Sequence, residues 1–295
     1  MATPREKHFV GTLVFGHFGY PAKSVKKIQT GCTCIVWLVT LTNGKRIAVK
    51  MPRPDQNPTI VYREQLAYQL LHDRVSVPAV LCAGRNYVIQ EFVHGKLGSK
   101  APLTLEEQNG VFAQLGSAIR RVHEIKGKGF GPVNTEERGS FDSWEDYMAE
   151  WYGTARAALS DCDFVEASEL NRLDRSIAKS TISIRSQDAV LLHNDFHLGN
   201  IIVGIGRRIT VIDFGSLAFG PPEFDFVRFY ITHGTSRLFK VLLASYKSAV
   251  DYKTLRVLAL QMLVVLIVFR QKRYGANSQR FKRTVADFRR ILFER

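Results

Sequence analysis

The run His193, Asn194, Asp195, Phe196, His197, Leu198, Gly199, Asn200 sets an asparagine five residues after an aspartate, and Asp213, Phe214 and Gly215 follow further on. Phosphoryl transfer asks for such a set. Two hard oxygen ligands can hold Mg²⁺, while a separate carboxylate orients the attacking hydroxyl and takes its proton. The donor's phosphates also need a cation, and the segment Arg46 to Lys50 ends a strand-like run on a lysine. Glu64, in the helical stretch that follows, is the carboxylate able to fix it. An Asp and an Asn at this spacing are by themselves an ordinary turn-forming pair. The order Lys50, Glu64, Asp195, Asn200, Asp213 is what turns the pair into chemistry.

These residues need elements to carry them. Ser24 to Met51 alternates and is rich in Val, Ile, Thr and Trp, with Gly31 and the pair Asn43 and Gly44 as punctuation, which predicts three strands in two hairpins. Thr59 to Leu71 sets Ile60, Glu64, Ala67 and Leu71 at helical spacing, and Pro78 closes the element. Short strands fit Val80 to Cys82 and Asn86 to Glu91, and the breaker-rich stretch from His94 to Pro102 puts a lobe boundary near Phe92 to Gly95. Thr104 with Glu107 and Ser143 with Asp146 then form capping boxes at the heads of helices. One patch of strand character, Ala189 to Leu192, Asn200 to Val203 and Ile209 to Ile212, holds the polar loop. Phe281, Val285, Phe288 and Leu292 form the apolar stripe of a last helix whose basic face points outward.

The surrounding histidines and Asp225 read as supports. His193 is expected to bond backbone near the loop, His123 to pack, and Asp225 to cap or brace a helix.

Composition sets outer limits. With 45% apolar and 23% charged residues in 295, the chain is an ordinary globular sequence rather than a disordered or collagen-like one. The 41 Lys and Arg against 27 Asp and Glu give +14 and a pI near 9.8, a field attractive to nucleic acid or an anionic membrane surface. That charge is unevenly spread. Arg256 to Arg295 holds ten bases against Asp287 and Glu294, whereas Val133 to Glu169 holds ten acids against Arg138 and Arg156. The acidic segment suits a cationic, amine-bearing partner, and no nucleic-acid partner is expected. The longest apolar run, between Arg256 and Arg270, falls short of the ~20 residues of a membrane span and reads as a buried helix. Met1 to Tyr20 has no uninterrupted apolar core of a signal peptide, so a cytoplasmic location is expected. Cys32, Cys34, Cys82 and Cys162 fit reduced thiols, the first two being badly spaced for zinc or redox work. No GxxxxGK[ST] stretch occurs, which excludes a P-loop NTPase.

HNDFHLGN and IDFG, together with REQLAYQLL, VPAVL, YVIQEFVHG, LGSAIRRVHEI and GPPEFDF, run in order from about Gly31 to Asp225. In this the chain resembles the protein-kinase-like superfamily and, within it, the aminoglycoside phosphotransferase group of small-molecule kinases. The resemblance implies an α+β, bilobal, kinase-like fold. A small antiparallel-sheet lobe with one helix, residues 1–93, would bind nucleotide, and a larger, mainly helical lobe, residues 94–295, would carry catalysis and the acceptor. It implies that Asp195 is the base, Asn200 and Asp213 hold Mg²⁺, Lys50 binds the α and β phosphates, and Glu64 pairs with Lys50. Gln90, Glu91, Phe92 and Val93 would meet the adenine, and Gly31 and Thr33 would stand in the loop over the phosphates.

The donor would be ATP or GTP, and the acceptor a hydroxyl on an amine-bearing small molecule, an aminoglycoside or related antibiotic first. His197, Glu223, Asp161, Asp163 and Glu166 are the expected acceptor contacts. Two other functions stay open: a choline- or ethanolamine-type or other metabolic kinase, and a nucleotide-binding pseudokinase or scaffold with a basic surface. The basic last helix departs from the acidic C-terminal residues with which some aminoglycoside phosphotransferases grip their substrate.

Overall fold

A computed structural model describes residues 2–30, 33–160, 164–179 and 189–294. In chain order the elements are α1 (Pro4–Phe18), β1 (Ala22–Thr30), β2 (Cys34–Leu41), β3 (Arg46–Pro52), α2 (Thr59–Leu71), β4 (Val80–Gly84), β5 (Tyr87–Glu91), β6 (Lys96–Leu97) and α3 (Leu105–His123). They continue with β7 (Phe130–Val133), β8 (Gly139–Phe141), α4 (Trp144–Ser160), α5 (Ala167–Ala178), β9 (Val190–Leu192), β10 (Ile201–Val203), β11 (Ile209–Val211) and β12 (Ala218–Gly220). Four helices close the chain: α6 (Glu223–His233), α7 (Arg237–Tyr246), α8 (Tyr252–Tyr274) and α9 (Gln279–Phe293).

The chain divides into two compact units, residues 1–107 with 198–217, and residues 108–197 with 218–295. Strand β6 ties the stretch after residue 93 into the first unit. It pairs with β10, Leu97 opposite Ile202. The N–H groups of Gly98 and Ser99 then bond the carbonyls of Ile201 and Leu198 at 2.7 and 3.0 Å. Gly95 permits this approach, since a Cβ there would stand 2.5 Å from the Val203 carbonyl oxygen. Ladder bonds thus fasten segment 198–217 to the first unit.

That unit is built on an antiparallel sheet in the order β1-β2-β3-β5-β4. Strand alternation turns Trp37, Val39, Leu41, Ile47, Val49 and Ile89 into one core, which Val10 and Val14 of α1 complete. Helix α1 was absent from the sequence expectations. Its start is nonetheless an orthodox one, with Thr3 accepting from the Glu6 N–H at 3.2 Å, the Glu6 carboxylate accepting from the Thr3 N–H at 2.7 Å, and Pro at the first position.

The second unit holds the sheet β8-β7-β12-β9 and the remaining helices, packed around Trp144, Phe196, Phe226, Phe229, Phe239 and Phe288. Of the two capping boxes read from the sequence, Thr104 with Glu107 makes both bonds, while the Ser143 hydroxyl accepts the Asp146 N–H and donates to the Asp146 carboxylate. Helix α8 is 23 residues long, and by length and composition alone it could cross a membrane. Its most apolar window is 61% buried, and the helix packs against α4, α6 and α9. Asp251 caps it, accepting from the N–H groups of Lys253 and Thr254.

Candidate active site

Lys50 stands near the end of β3, with Val36 of β2 and Val88 of β5 opposite it. Because alternate residues point to opposite faces, Ile47 and Val49 enter the core under α1. Ala48 and Lys50 instead line a cavity of about 240 Å³, together with Val36, Glu64, Gln90 and Asp213. The Lys50 side chain is 5% exposed, and it pairs with the buried carboxylate of Glu64 on α2 and with Asp213 Oδ1 at 2.6 Å. Tyr68, one turn after Glu64, donates its hydroxyl to Glu64 Oε1 at 2.8 Å and accepts the Asp213 N–H at 3.2 Å.

Burial works against the Lys50 charge, but Asp213 and Glu64 outweigh it and hold the ammonium well above its ordinary pKa. Burial pushes the Glu64 carboxyl up, opposed by Lys50 and by the Tyr68 hydroxyl. Cys34 lies nearby, buried, and burial lifts its thiol to about 11, which leaves it inert at neutral pH.

Asp213 has φ +70°, a left-handed conformation costing a non-glycine residue about 1–2 kcal/mol. The bonds to Lys50 and Tyr68 hold it there. Gly215 follows where α2 comes close, and a Cβ would meet Ile60 Cγ2 at 2.7 Å. Asn200 is buried, and its carbonyl accepts the Ile212 N–H at 3.0 Å, which brings the asparagine beside the residue preceding Asp213. Asn200 and Asp213 offer oxygens of the kind Mg²⁺ takes, and two such ligands suit an ion that is otherwise held by phosphates and water. Among the described residues no cluster of three His, Cys, Asp or Glu offers an all-protein metal site.

On the second unit, β9 leads into the loop His193 to His197. The loop hangs on Asp225 of α6, whose carboxylate accepts the N–H groups of His193 and Asn194 at 2.8 and 2.7 Å. The same carboxylate bonds His123 Nε2 at 3.1 Å, and His123 Nδ1 bonds the Tyr246 hydroxyl at 2.9 Å. His193 is fully buried, and its Nδ1 accepts the Asp195 N–H at 3.3 Å. Asn194 sits at φ +64°, a left-handed conformation that asparagine tolerates better than most residues. Asp195 lies 3.4 Å from His197 Nε2 and 3.5 Å from Arg228 Nη1. Burial alone would raise its carboxyl, but His197 and Arg228 outweigh burial and hold it at about 2. It is an ionised acceptor at any working pH.

Several expected contacts are placed differently. Glu223 is buried at the head of α6 and accepts the Asp251 N–H at 3.3 Å, a bond that braces the start of α8. Glu166 opens α5, where it takes a bond from the Ser168 hydroxyl at 3.3 Å. His197 touches Asp195 itself. Gln90, Glu91, Phe92 and Val93 line the cavity, with Phe92 under the Arg46 guanidinium. Thr33 is exposed before β2, its carbonyl held by the Arg53 N–H at 2.8 Å. Gly31, Asp161 and Asp163 lie outside the described residues.

Two features escaped the sequence reading. Tyr68 carried a signal in its position four residues after Glu64 on a helix. Arg228 carried none, because only the tertiary fold brings α6 to the loop. It also alters the expected electrostatics: the Arg228 guanidinium stands beside Asp195, and the buried acid Glu169 is taken up by Arg289 at 2.8 Å.

The first unit holds a lysine fixed between two carboxylates on the wall of a cavity, and the second an ionised aspartate on a braced loop, groups of the kinds a small-molecule kinase uses. The chain belongs to the phosphotransferase enzyme family, whose model matches residues 24–258. A comparison with curated protein sequences gives no match. Solved structures share the fold. A thermostable mutant of aminoglycoside phosphotransferase APH(4)-Ia, in ternary complex with AMP-PNP and hygromycin B, is 14% identical with a TM-score of 0.75, over 96% of this chain and 97% of that one. The gentamicin complex of APH(2")-IIa is 16% identical with a TM-score of 0.70, over 98% and 97%. Spectinomycin phosphotransferase APH(9)-Ia, in complex with ADP and spectinomycin, is 18% identical with a TM-score of 0.68, over 99% of both chains.

Proposed function

We propose that this protein transfers the γ-phosphoryl group of ATP or GTP to a hydroxyl of a small molecule. The observation that carries the reading is the Lys50 ammonium, buried and held between Glu64 and Asp213 on the wall of a cavity. A cation fixed in that way draws the donor's phosphates without paying to be ordered on binding. Asn200 and Asp213 would hold Mg²⁺, which when bound neutralises charge on the phosphates. Asp195 accepts a hydrogen bond from the acceptor's hydroxyl and takes its proton as the oxygen attacks phosphorus. His197 and Arg228 keep it ionised and aimed. Gln90 Oε1, buried and without a hydrogen-bond partner among the described residues, would meet the exocyclic amine of adenine.

The likeness to phosphotransferases bound to hygromycin B, gentamicin and spectinomycin supports an antibiotic-type alcohol as the first class to test. The test is nucleoside diphosphate release with Mg²⁺ across aminoglycosides, other antibiotics, choline and sugars, with phosphoester formation followed by ³¹P NMR. Acceptor-dependent release with a matching phosphoester is expected. Nucleotide binding with no transfer to any acceptor would leave a nucleotide-binding scaffold instead.

A further inference from the structure

Helices α6, α8 and α9 enclose a second cavity, of about 490 Å³, wholly within the second unit. Its charged lining is Arg228, Arg270, Arg283 and Arg290 against the single carboxylate of Asp287. Arg228, which lines the cavity, is also the residue 3.5 Å from Asp195. We propose that this cavity binds an oxyanion of the acceptor, so that the molecule phosphorylated carries a carboxylate, phosphate or sulfate group besides its reacting hydroxyl. The inference rests on the phosphotransferase reading and names the substrate class for it, in place of the amine-bearing class drawn from the sequence.

The arginines are only partly used by the fold. Arg290 donates to the Ile231 carbonyl at 2.6 Å and lies 3.3 Å from Asp287. Arg270 donates to the Thr284 hydroxyl and to the Arg280 carbonyl, neutral acceptors that leave its charge uncompensated. Burial and the nearby Arg228 and Arg280 pull its pKa down, as expected of cations gathered with too little opposing charge. Arg283 makes no hydrogen bond or ion pair among the described residues. Arg228 and Arg270 are half-buried and Arg283 and Arg290 exposed at the rim, so a bound oxyanion could take bidentate bonds from their guanidinium forks. The volume lies within the range of small-molecule sites, a few hundred Å³. A polycationic acceptor would meet repulsion here.

The test uses one sugar scaffold in four charge states, glucose, glucosamine, glucuronate and glucose 1-phosphate, assayed by ADP release with the full chain. The anionic members are expected to be accepted with a KM at least about tenfold below the neutral one. Arg283→Gln, which breaks no bond in the fold, should raise that KM by about tenfold at nearly unchanged kcat. Arg270→Gln should add to it. Turnover that favours the amine, or a KM untouched by Arg283→Gln, would overturn the proposal while leaving the phosphotransferase reading intact. If no sugar turns over, calorimetry with inorganic phosphate decides, with the nucleotide site filled by Mg²⁺ and a non-hydrolysable ATP analogue. Saturable binding lost in Arg283→Gln keeps the anion site, and no such binding removes it.

Discussion

Replacing Lys50 by methionine removes the only cation between two carboxylates, and the structure sets the size of the effect. Lys50 is 5% exposed and Glu64 1%, so the variant leaves the Glu64 carboxylate buried without its cation. Breaking a buried pair by deleting one partner costs about 3–5 kcal/mol, a large part of the roughly 5–15 kcal/mol that holds a domain together. The sign with pH follows from which group is left. In the wild type the Lys50 pKa is raised, so its contribution is complete below the unfolded value of 10.5 and is lost only as pH rises through the higher folded value. In Lys50→Met the stranded Glu64 carries a raised pKa. Its penalty is small near the unfolded value of 4.5 and grows as pH rises.

Urea titrations at two pH values read this directly. At pH 8 the variant should lose about 3–5 kcal/mol, and at pH 5 only about 1 kcal/mol from this source. Adding Glu64→Gln should restore at least about 2 kcal/mol at pH 8. A loss below about 1 kcal/mol at pH 8, unchanged at pH 5 and made worse by Glu64→Gln, would refute the buried pair.

Other substitutions probe the supports. Asp225→Ala strands two buried N–H groups and His123, so it should cost about 3–6 kcal/mol and lower Tm before any effect on chemistry, whereas a surface brace would cost under about 1. Gln90→Met removes a buried, unpartnered carbonyl and should stabilise the nucleotide-free protein by about 1 kcal/mol. The same change should weaken ATP binding about fivefold by calorimetry, with GTP binding little changed, since a carbonyl matches the adenine amine and not the guanine keto oxygen.

What the sequence showed and what it hid have physical causes. The strands β2 and β3, helix α2 and both capping pairs were legible because each is a local pattern: alternation, a 3.6-residue period, a Thr or Ser three before an acid. Lys50, Glu64 and Asp213 could be grouped by order and spacing, and the fold brings them within bonding distance. Helix α1 was hidden because it buries only Val10 and Val14, too few to show a periodic face. Strands β6 and β12, two and three residues long, exist through partners far along the chain, β10 for one and β7 and β9 for the other. The arginines of the second cavity were hidden for a related reason. They come from three helices, and a local charge count placed the basic tail and the acidic segment as separate fields when their members pair, as Glu169 does with Arg289.

In the proposed reaction Asp195, beside His197 and Arg228, is the base for phosphoryl transfer to an alcohol. Its most direct test is single-turnover transfer by Asp195→Asn beside the wild type, with Mg²⁺-nucleotide binding measured on the same preparations. The account predicts unchanged nucleotide affinity and a transfer rate lower by about 100- to 10,000-fold. Transfer at the wild-type rate would contradict it.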